Sequence, residues 1–326
     1  MADGRCPVLA LDIGGTKLAA AVITADGHTH GLSVESTGRE GGPEIIGRLF
    51  EMAQGAIVTS GFDDVSAVGI SCGGPLNSQH GILTGPLHLP GWVNIPIVEM
   101  AEEKFRIPAT LLNDATAGAL GEYRYGAARD TRTMVYLTIS TGIGGGAVVG
   151  GRLHRGAAGN GGEFGHVVVR SGGRLCLCGR RGCLEAYASG SSIAQRANEA
   201  VAERAGGSIL TSFATVTAED VVAAAEAGDA LDTELWDETL DVLSIAITDL
   251  VNVFEPEYVV LGGGVARSGD ALLQPIRDRV AHDAMPPAAG AAQVVLASLG
   301  DEACVIGAGA AAFDHLAALV RLPTNA

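Results

Sequence analysis

Residues 176 to 183 read CLCGRRGC, which places Cys176, Cys178 and Cys183, three of the chain's six cysteines, within eight positions. Thiols at this density can form a redox centre, a disulfide framework or a metal clamp. His166 lies ten residues before Cys176 and adds an imidazole. One imidazole and three thiolates match the closed tetrahedral set of a structural Zn2+ site, in which no position is left for water. Gly179 and Gly182 let the backbone fold the sulfurs inward. Cys6, Cys72 and Cys304 are isolated in sequence and read as buried free thiols.

Two glycine-rich turns offer a different chemistry. LDIGGTK carries Asp12 at the end of an apolar run, then Gly14, Gly15, Thr16 and Lys17. Backbone N–H groups can approach an anion closely where no Cβ intervenes, hydroxyl and ammonium groups add donors, and the carboxylate can hold a Mg2+ shell at phosphates. A structural hairpin turn would carry the same glycines. STGIGGG, with Thr141, Gly142 and Gly144, imitates a dinucleotide fingerprint, but the strand-like AVVGGRL follows it where that fingerprint needs a helix. GAGAAA, with Gly307, Gly309 and Ala312, precedes a helical pattern too close to the chain's end for a further βαβ unit, and no G-x-x-x-x-G-K-[ST] loop occurs.

The elements that must position these groups follow from patterning. The 326 residues are 47% hydrophobic and 18% charged, enough apolar material for two domains or one divided by a cleft. VLALDIGGTKLAAAVI (8–23) and MVYLTISTGIGGGAVVGGRL (134–153) each read as strand, glycine turn, strand. Helical patterns and a further buried strand follow each, SAVGISCG and YVVLGGGV, which suggests a duplicated α/β unit. In LLNDATAGALGE a strand ends at Asn113-Asp114 and a helix begins, so this pair also reads as a helix cap. DETLDVLSIAITDLVNVFE (237–255) predicts a largely buried helix, and GAGAAAFDHLAALVRL a final one. The net charge of -16 disfavours a broad nucleic-acid surface. No apolar run of bilayer-spanning length and no cleavable leader are expected, which implies a cytoplasmic protein with reduced thiols.

Taken in order, LDIGGTK, GGPL (73–76), LPGW (89–92), LLNDA, STGIGGG, GEFGH (162–166), CLCGRRGCLEAYASG and LGGGV resemble the ROK family of sugar kinases and repressors. The resemblance implies an actin-like ATPase fold of class α/β, two RNase-H-like lobes around a central cleft. The expected division is a small N-terminal lobe over 1–119, with helix 310–326 packed on it, and a large lobe over 120–309 holding the zinc segment 166–183. It further implies that Asp114 is the general base for a sugar hydroxyl attacking the γ-phosphate of ATP. Asn113, Glu163, His166 and Glu185 then bind sugar hydroxyls, and Gly73 and Gly74 lie along the sugar. Asp12 and Gly14–Lys17 form the first phosphate loop, Thr141, Gly142 and Gly144 the second, and Gly262, Gly263 and Gly264 the adenosine loop.

For Glu163 the plainer reading is a surface carboxylate, and for Glu185 an acidic residue in a helix's first turn. The chain reaches the first phosphate loop by residue 12, which leaves no room ahead of it for a helix-turn-helix. A glucokinase is therefore expected, with structural Zn2+ and with Mg2+ accompanying ATP, as a homodimer or homotetramer without nucleic-acid or membrane partners. Kinases for mannose, fructose, N-acetylmannosamine or N-acetylglucosamine, and a non-catalytic sugar-binding regulator, are the alternatives. Two residues depart from the family's usual pattern: His88 stands where Asn is common, either altering a contact near the sugar or sitting on the lip of the cleft, and Thr116 replaces a second Asn.

Overall fold

The computed structural model describes residues 6–38, 40–87, 89–203 and 208–321. The chain divides into two compact units. Unit 1 takes in the chain up to Asp130, Leu153–Gly162 and the part from Asp301 onward, while unit 2 holds Thr131–Arg152 and Glu163–Gly300. This division falls later than the expected boundary at 119, because the helix that follows Asn113 packs within unit 1.

Unit 1 is built on β1 (Val8–Ile13), β2 (Lys17–Ile23), β3 (Thr29–Ser36), β4 (Val68–Cys72) and β7 (Ala109–Asn113), in the order β3-β2-β1-β4-β7. A two-stranded ladder, β5 (Leu76–Asn77) with β6 (Ile82–Leu83), stands apart. β1–β2–β3 is an antiparallel meander, and β4 and β7 add in parallel. Every residue of β1 and β4 is buried, as continuous apolar runs in covered sheets require. Helices α1 (Gly42–Ser60), α2 (Ile97–Phe105) and α3 (Asp114–Tyr125) follow β3, the small ladder and β7. α1 has Pro43 in its first turn and ends on Gly61 in the left-handed conformation, φ 79°.

Strand alternation separates the two faces of this sheet. Leu9, Leu11, Ile13, Val68, Ile70 and Leu111 share a core with α1 residues such as Ile46 and Leu49. Leu112 clusters on the other side with Ala117 and Leu120 of α3 and with Ala310 and Ala311 of the last helix, α10 (Ala303–Arg321). That helix begins earlier than the sequence pattern indicated. GAGAAA therefore lies inside it and does not precede it, and residues 322–326 lie outside the described residues. Over Gly300–Arg321 the mean hydropathy reaches 1.7 across a length able to span a bilayer, although Asp314 and His315 interrupt the apolar run. Its apolar character has a core function, since every residue from Val305 to Phe313 is buried.

Unit 2 repeats the plan with β8 (Met134–Ile139), β9 (Ile143–Val149), β10 (Arg152–Leu153), β11 (Tyr258–Gly262) and β12 (Gln293–Leu296), ordered β10-β9-β8-β11-β12. β8–β9 is an antiparallel hairpin, and β11 and β12 add in parallel. The strand order matches that of unit 1 position for position, so the duplication suggested by the two hairpins is present as two RNase-H-like sheets. Helices α4 (Glu185–Ala188), α5 (Gly190–Glu203), α6 (Ala218–Glu226), α7 (Ala230–Phe254), α8 (Asp270–Asp283) and α9 (Pro286–Ala291) complete the unit. α7 contains the helix expected at 237–255 but starts seven residues sooner, at Ala230, because Asp229 caps the N–H groups of Leu231 and Asp232.

Backbone contact holds α10 in place. A Cβ at Gly307 would stand 1.7 Å from the Ala117 carbonyl oxygen, and one at Gly69 would stand 1.8 Å from that of Ala308. Gly307→Ala should force α10 away from α3 and cost about 2–3 kcal/mol. Gly47, exposed within α1 with nothing within 4 Å of its would-be Cβ, behaves oppositely, and Gly47→Ala should stabilise by about 0.5–1 kcal/mol. Urea denaturation of the two variants should therefore show shifts of opposite sign.

Candidate functional site

In unit 1 the expected residues gather at one end of the sheet. Register pairs Ile13 with Cys72 and Cys72 with Asn113, so the carboxyl ends of β1, β4 and β7 lie side by side. Asp12–Lys17, Gly73-Gly74 and Asn113-Asp114 all sit at these ends, where parallel α/β sheets present their ligands. The first turn is closed by Gly14 N–H donating to the Lys17 carbonyl at 3.0 Å, and Thr37 Oγ1 donates to the Gly14 carbonyl at 2.6 Å. Gly15 and Thr16 are exposed, and Lys17 Nζ lies 3.6 Å from Asp301.

Asn113 is the cap of α3, its Oδ1 accepting from Ala115 N–H at 3.0 Å and Thr116 N–H at 3.2 Å. The capping expectation therefore holds for Asn113, while Asp114 occupies the first helical position and is only partly buried. Thr116 points inward, 2% exposed, with Oγ1 3.5 Å from the Gly161 carbonyl. His88 lies outside the described residues.

Asp12 is 8% exposed, and Ser71 Oγ, on the paired position of β4, donates to its Oδ1. Burial pushes the Asp12 carboxyl up to about 6; the Ser71 hydrogen bond lowers it, the charge of Asp114 raises it and that of Lys17 lowers it. Ser71 was not legible as a partner, because 59 residues separate it from Asp12 and only the strand register joins them. Cys304, at the start of α10, has its thiol raised by burial and then by the charges of Asp12 and Asp114, which places α10's first turn at this site.

Unit 2 brings three expected groups together. His166, Cys176, Cys178 and Cys183 offer ligand atoms that all lie within 4.8 Å of one another. The Cys178 and Cys183 sulfurs are 3.7 Å apart, and Cys176 Sγ is 3.7 Å from His166 Nδ1. Sulfurs held at about 2.3 Å from a tetrahedral ion would stand about 3.8 Å apart, so the donor set fits zinc by identity and by spacing. With Nδ1 facing the sulfurs, His166 Nε2 is turned toward Glu163, 3.9 Å from Oε2.

The second glycine turn joins β8 to β9, with Ser140 N–H donating to the Gly142 carbonyl at 2.9 Å. Gly262 ends β11 beside Thr138 of β8, and Gly263, at φ +87°, would place a Cβ 2.4 Å from the Ile139 carbonyl oxygen. Only glycine fits there. Glu185 adds a contact that the sequence did not reveal: its Oε2 accepts the Ile143 N–H at 2.8 Å, and its Oε1 lies 3.8 Å from Cys176 Sγ.

The family model described as ROK family matches residues 8–315. The chain is 34% identical over 306 residues to the glucokinase of Halalkalibacterium halodurans, covering 92% of each protein. A ROK hexokinase structure from Thermus thermophilus superposes with a TM-score of 0.82 at 36% identity, over 96% of this chain and 99% of that one. A ROK family glucokinase from Streptomyces griseus, solved in complex with glucose and AMPPNP, gives a TM-score of 0.80 at 30% identity over 94% of this chain and 99% of that one.

The raised Asp12 carboxyl has a consequence for stability. Between the usual carboxylate range and about 6 the folded chain holds a proton that the unfolded chain releases, so this contribution is complete at low pH and is lost as pH rises through 6. Asp12→Asn keeps an acceptor for Ser71 and removes the buried charge. In the absence of Mg2+ and nucleotide it should be more stable than wild type by on the order of 2 kcal/mol at pH 7.5, with little difference at pH 4. Equal unfolding free energies at pH 7.5 would contradict this.

Proposed function

Because the chain belongs to the ROK family, we propose that it transfers the γ-phosphoryl group of ATP to the 6-hydroxyl of glucose, with Asp114 as general base. An ATP-dependent hexose kinase is the activity common to its glucokinase and hexokinase relatives. The observation that carries the finer reading is the placement of Asp114. It is a partly exposed carboxylate at the start of α3, within electrostatic reach of buried Asp12 beside the Gly14–Lys17 turn. A base and a phosphate-binding turn at one sheet end are what phosphoryl transfer asks for, since it needs positioning and charge stabilisation more than covalent chemistry.

In this mechanism Asp114 takes the proton of the sugar hydroxyl as its oxygen attacks the γ-phosphorus, and ADP leaves. Backbone N–H groups of the first turn, together with Lys17, receive the charge on the transferred group, and Thr141, Gly142 and Gly144 serve the second phosphate loop. Gly262–Gly264 present bare backbone to the adenosine. Mg2+, when bound with ATP, neutralises phosphate charge, and Asp12 is the residue suited to hold its water shell.

Asn113, Glu163, His166 and Glu185 bind sugar hydroxyls, with Gly73 and Gly74 along the ring. Asn113 spends its carbonyl oxygen on the α3 cap, so its amide N–H groups are what it offers the sugar. His166 can serve two roles at once, Nδ1 toward the metal and Nε2 toward a hydroxyl. Zinc in the His166, Cys176, Cys178 and Cys183 set cross-links the segment and takes no part in the chemistry.

Asp114→Asn should lower kcat about 10²–10⁴-fold while leaving glucose affinity within about threefold. Wild-type turnover in that variant would refute the base assignment. A panel of glucose, mannose, fructose, N-acetylmannosamine and N-acetylglucosamine with Mg2+ and ATP should give the highest kcat/KM for glucose, and a different winner would replace the sugar. Metal analysis should return about one zinc per chain. Sugar binding with no turnover on any member of the panel would favour a sensor.

A further inference from the structure

The turn Ser140–Ile143 is closed by Ser140 N–H donating to the Gly142 carbonyl, and among the described residues the groups that grip it from outside the β8–β9 hairpin include several from the stretch between Gly165 and Ser191. Gly190 N–H donates to the Ser140 carbonyl at 2.7 Å, and Ser191 Oγ donates to the Thr141 carbonyl at 2.5 Å. Glu185 Oε2 accepts the Ile143 N–H, and the same oxygen would stand 2.7 Å from a Cβ at Gly142, so the carboxylate fills the space against the turn. On the other side Gly165 abuts Ile143 so closely that a Cβ would lie 2.1 Å from its carbonyl oxygen.

These two grips on Ile143 bracket the metal-ligand set. Gly165 immediately precedes His166, and Glu185 follows Cys183 by two residues with Leu184, fully buried, between them. The other oxygen of Glu185 lies 3.8 Å from Cys176 Sγ. One carboxylate therefore touches both the sulfur cluster and the turn.

We propose that Glu185 is a positioning residue through which the Cys/His cluster sets the shape of the second glycine turn, and thereby the affinity for the nucleotide's phosphates. This rests on the reading of that turn as a phosphate loop and of the cluster as a zinc site. With the cluster closed, residues 163–166 and 183–185 are tied to each other, and both grips on Ile143 hold together. With it open, the side-chain cross-link is lost and the two segments keep only the short backbone bridge of Val168 with Cys183 and the bond from Leu184 N–H to the Val167 carbonyl, so the acceptor of the Ile143 N–H is held less firmly.

The test compares metal-loaded wild type, the same protein treated with a zinc chelator, Glu185→Ala and Glu185→Gln. Hydrogen–deuterium exchange at the Ile143 amide and calorimetric affinity for Mg2+–AMPPNP are the readouts. Chelation and Glu185→Ala should each speed Ile143 exchange and weaken nucleotide binding, by about tenfold for the loss of one charge-assisted hydrogen bond. Chelating Glu185→Ala should add nothing further to either readout. Glu185→Gln, whose amide oxygen still accepts from Ile143, should keep wild-type protection there.

Exchange at Leu137 and Val260, inside the sheet, reports whether the unit stays folded. If chelation unfolds it, Glu185→Ala decides alone, because that variant removes no metal ligand. Equal Ile143 exchange in loaded and depleted wild type with the sheet intact, or wild-type exchange and affinity in Glu185→Ala, overturns the proposal. A wild-type chain without zinc, or without hexose phosphorylation, fails the underlying reading instead, and that is seen before any variant is made.

Discussion

The close approach of α10 to α3 and β4 is the contact on which unit 1 depends. It exists because Gly69 and Gly307 have no side chain and let backbone meet backbone. Its effect reaches beyond packing. Seated this way, α10 covers the sheet face from which Asp12 and Ser71 project; its first turn brings Cys304 near Asp12, and Asp301, just before the helix, lies beside Lys17. A buried carboxylate is costly without compensation, and the hydrogen bond from Ser71 with the nearby ammonium of Lys17 supplies part of it. The raised carboxyl is the part left uncompensated, a cost borne by the fold at the end of the sheet where the chemistry is proposed to occur.

Unit 2 solves its positioning problem by another route. Its second glycine turn is gripped by side-chain and backbone groups of a segment with little regular structure, between Glu163 and Ser191. Such a segment cannot rely on a sheet or long helix for rigidity. The four metal-ligand side chains spaced over 166–183 lie close enough for the proposed zinc to cross-link the segment locally and leave its flanks to touch the turn.

Much of this was legible in the sequence wherever the signal was local. The two glycine hairpins, the strand-to-helix junction at Asn113 and the Cys/His cluster depend on residues near one another in the chain, and each is in place. The contacts that escaped are those joined only by register or tertiary packing: Ser71 to Asp12 across parallel strands, and Glu185 to the Ile143 amide. GAGAAA reads both as a motif ahead of a helix and as the start of the final helix, and Gly307 and Gly309 lie within that helix because the neighbouring backbone demands small residues more strongly than helix propensity disfavours glycine. The division into units is likewise hard to read from sequence order, since the chain crosses from one unit to the other more than once.

That crossing has a consequence for biosynthesis. The helix that covers one face of the first sheet is encoded after the whole of unit 2, some 190 residues beyond β7. While the ribosome is still translating unit 2, the side of the first sheet bearing Leu112 and Asp12 has no α10 to cover it. Unit 2 can close as soon as β12 emerges, so the later-encoded half matures first, reversing the usual N-terminal-first order. Through that interval Leu112 has only its neighbours in α3, Ala117 and Leu120, and its cluster is completed by Ala310 and Ala311 when the last helix is made.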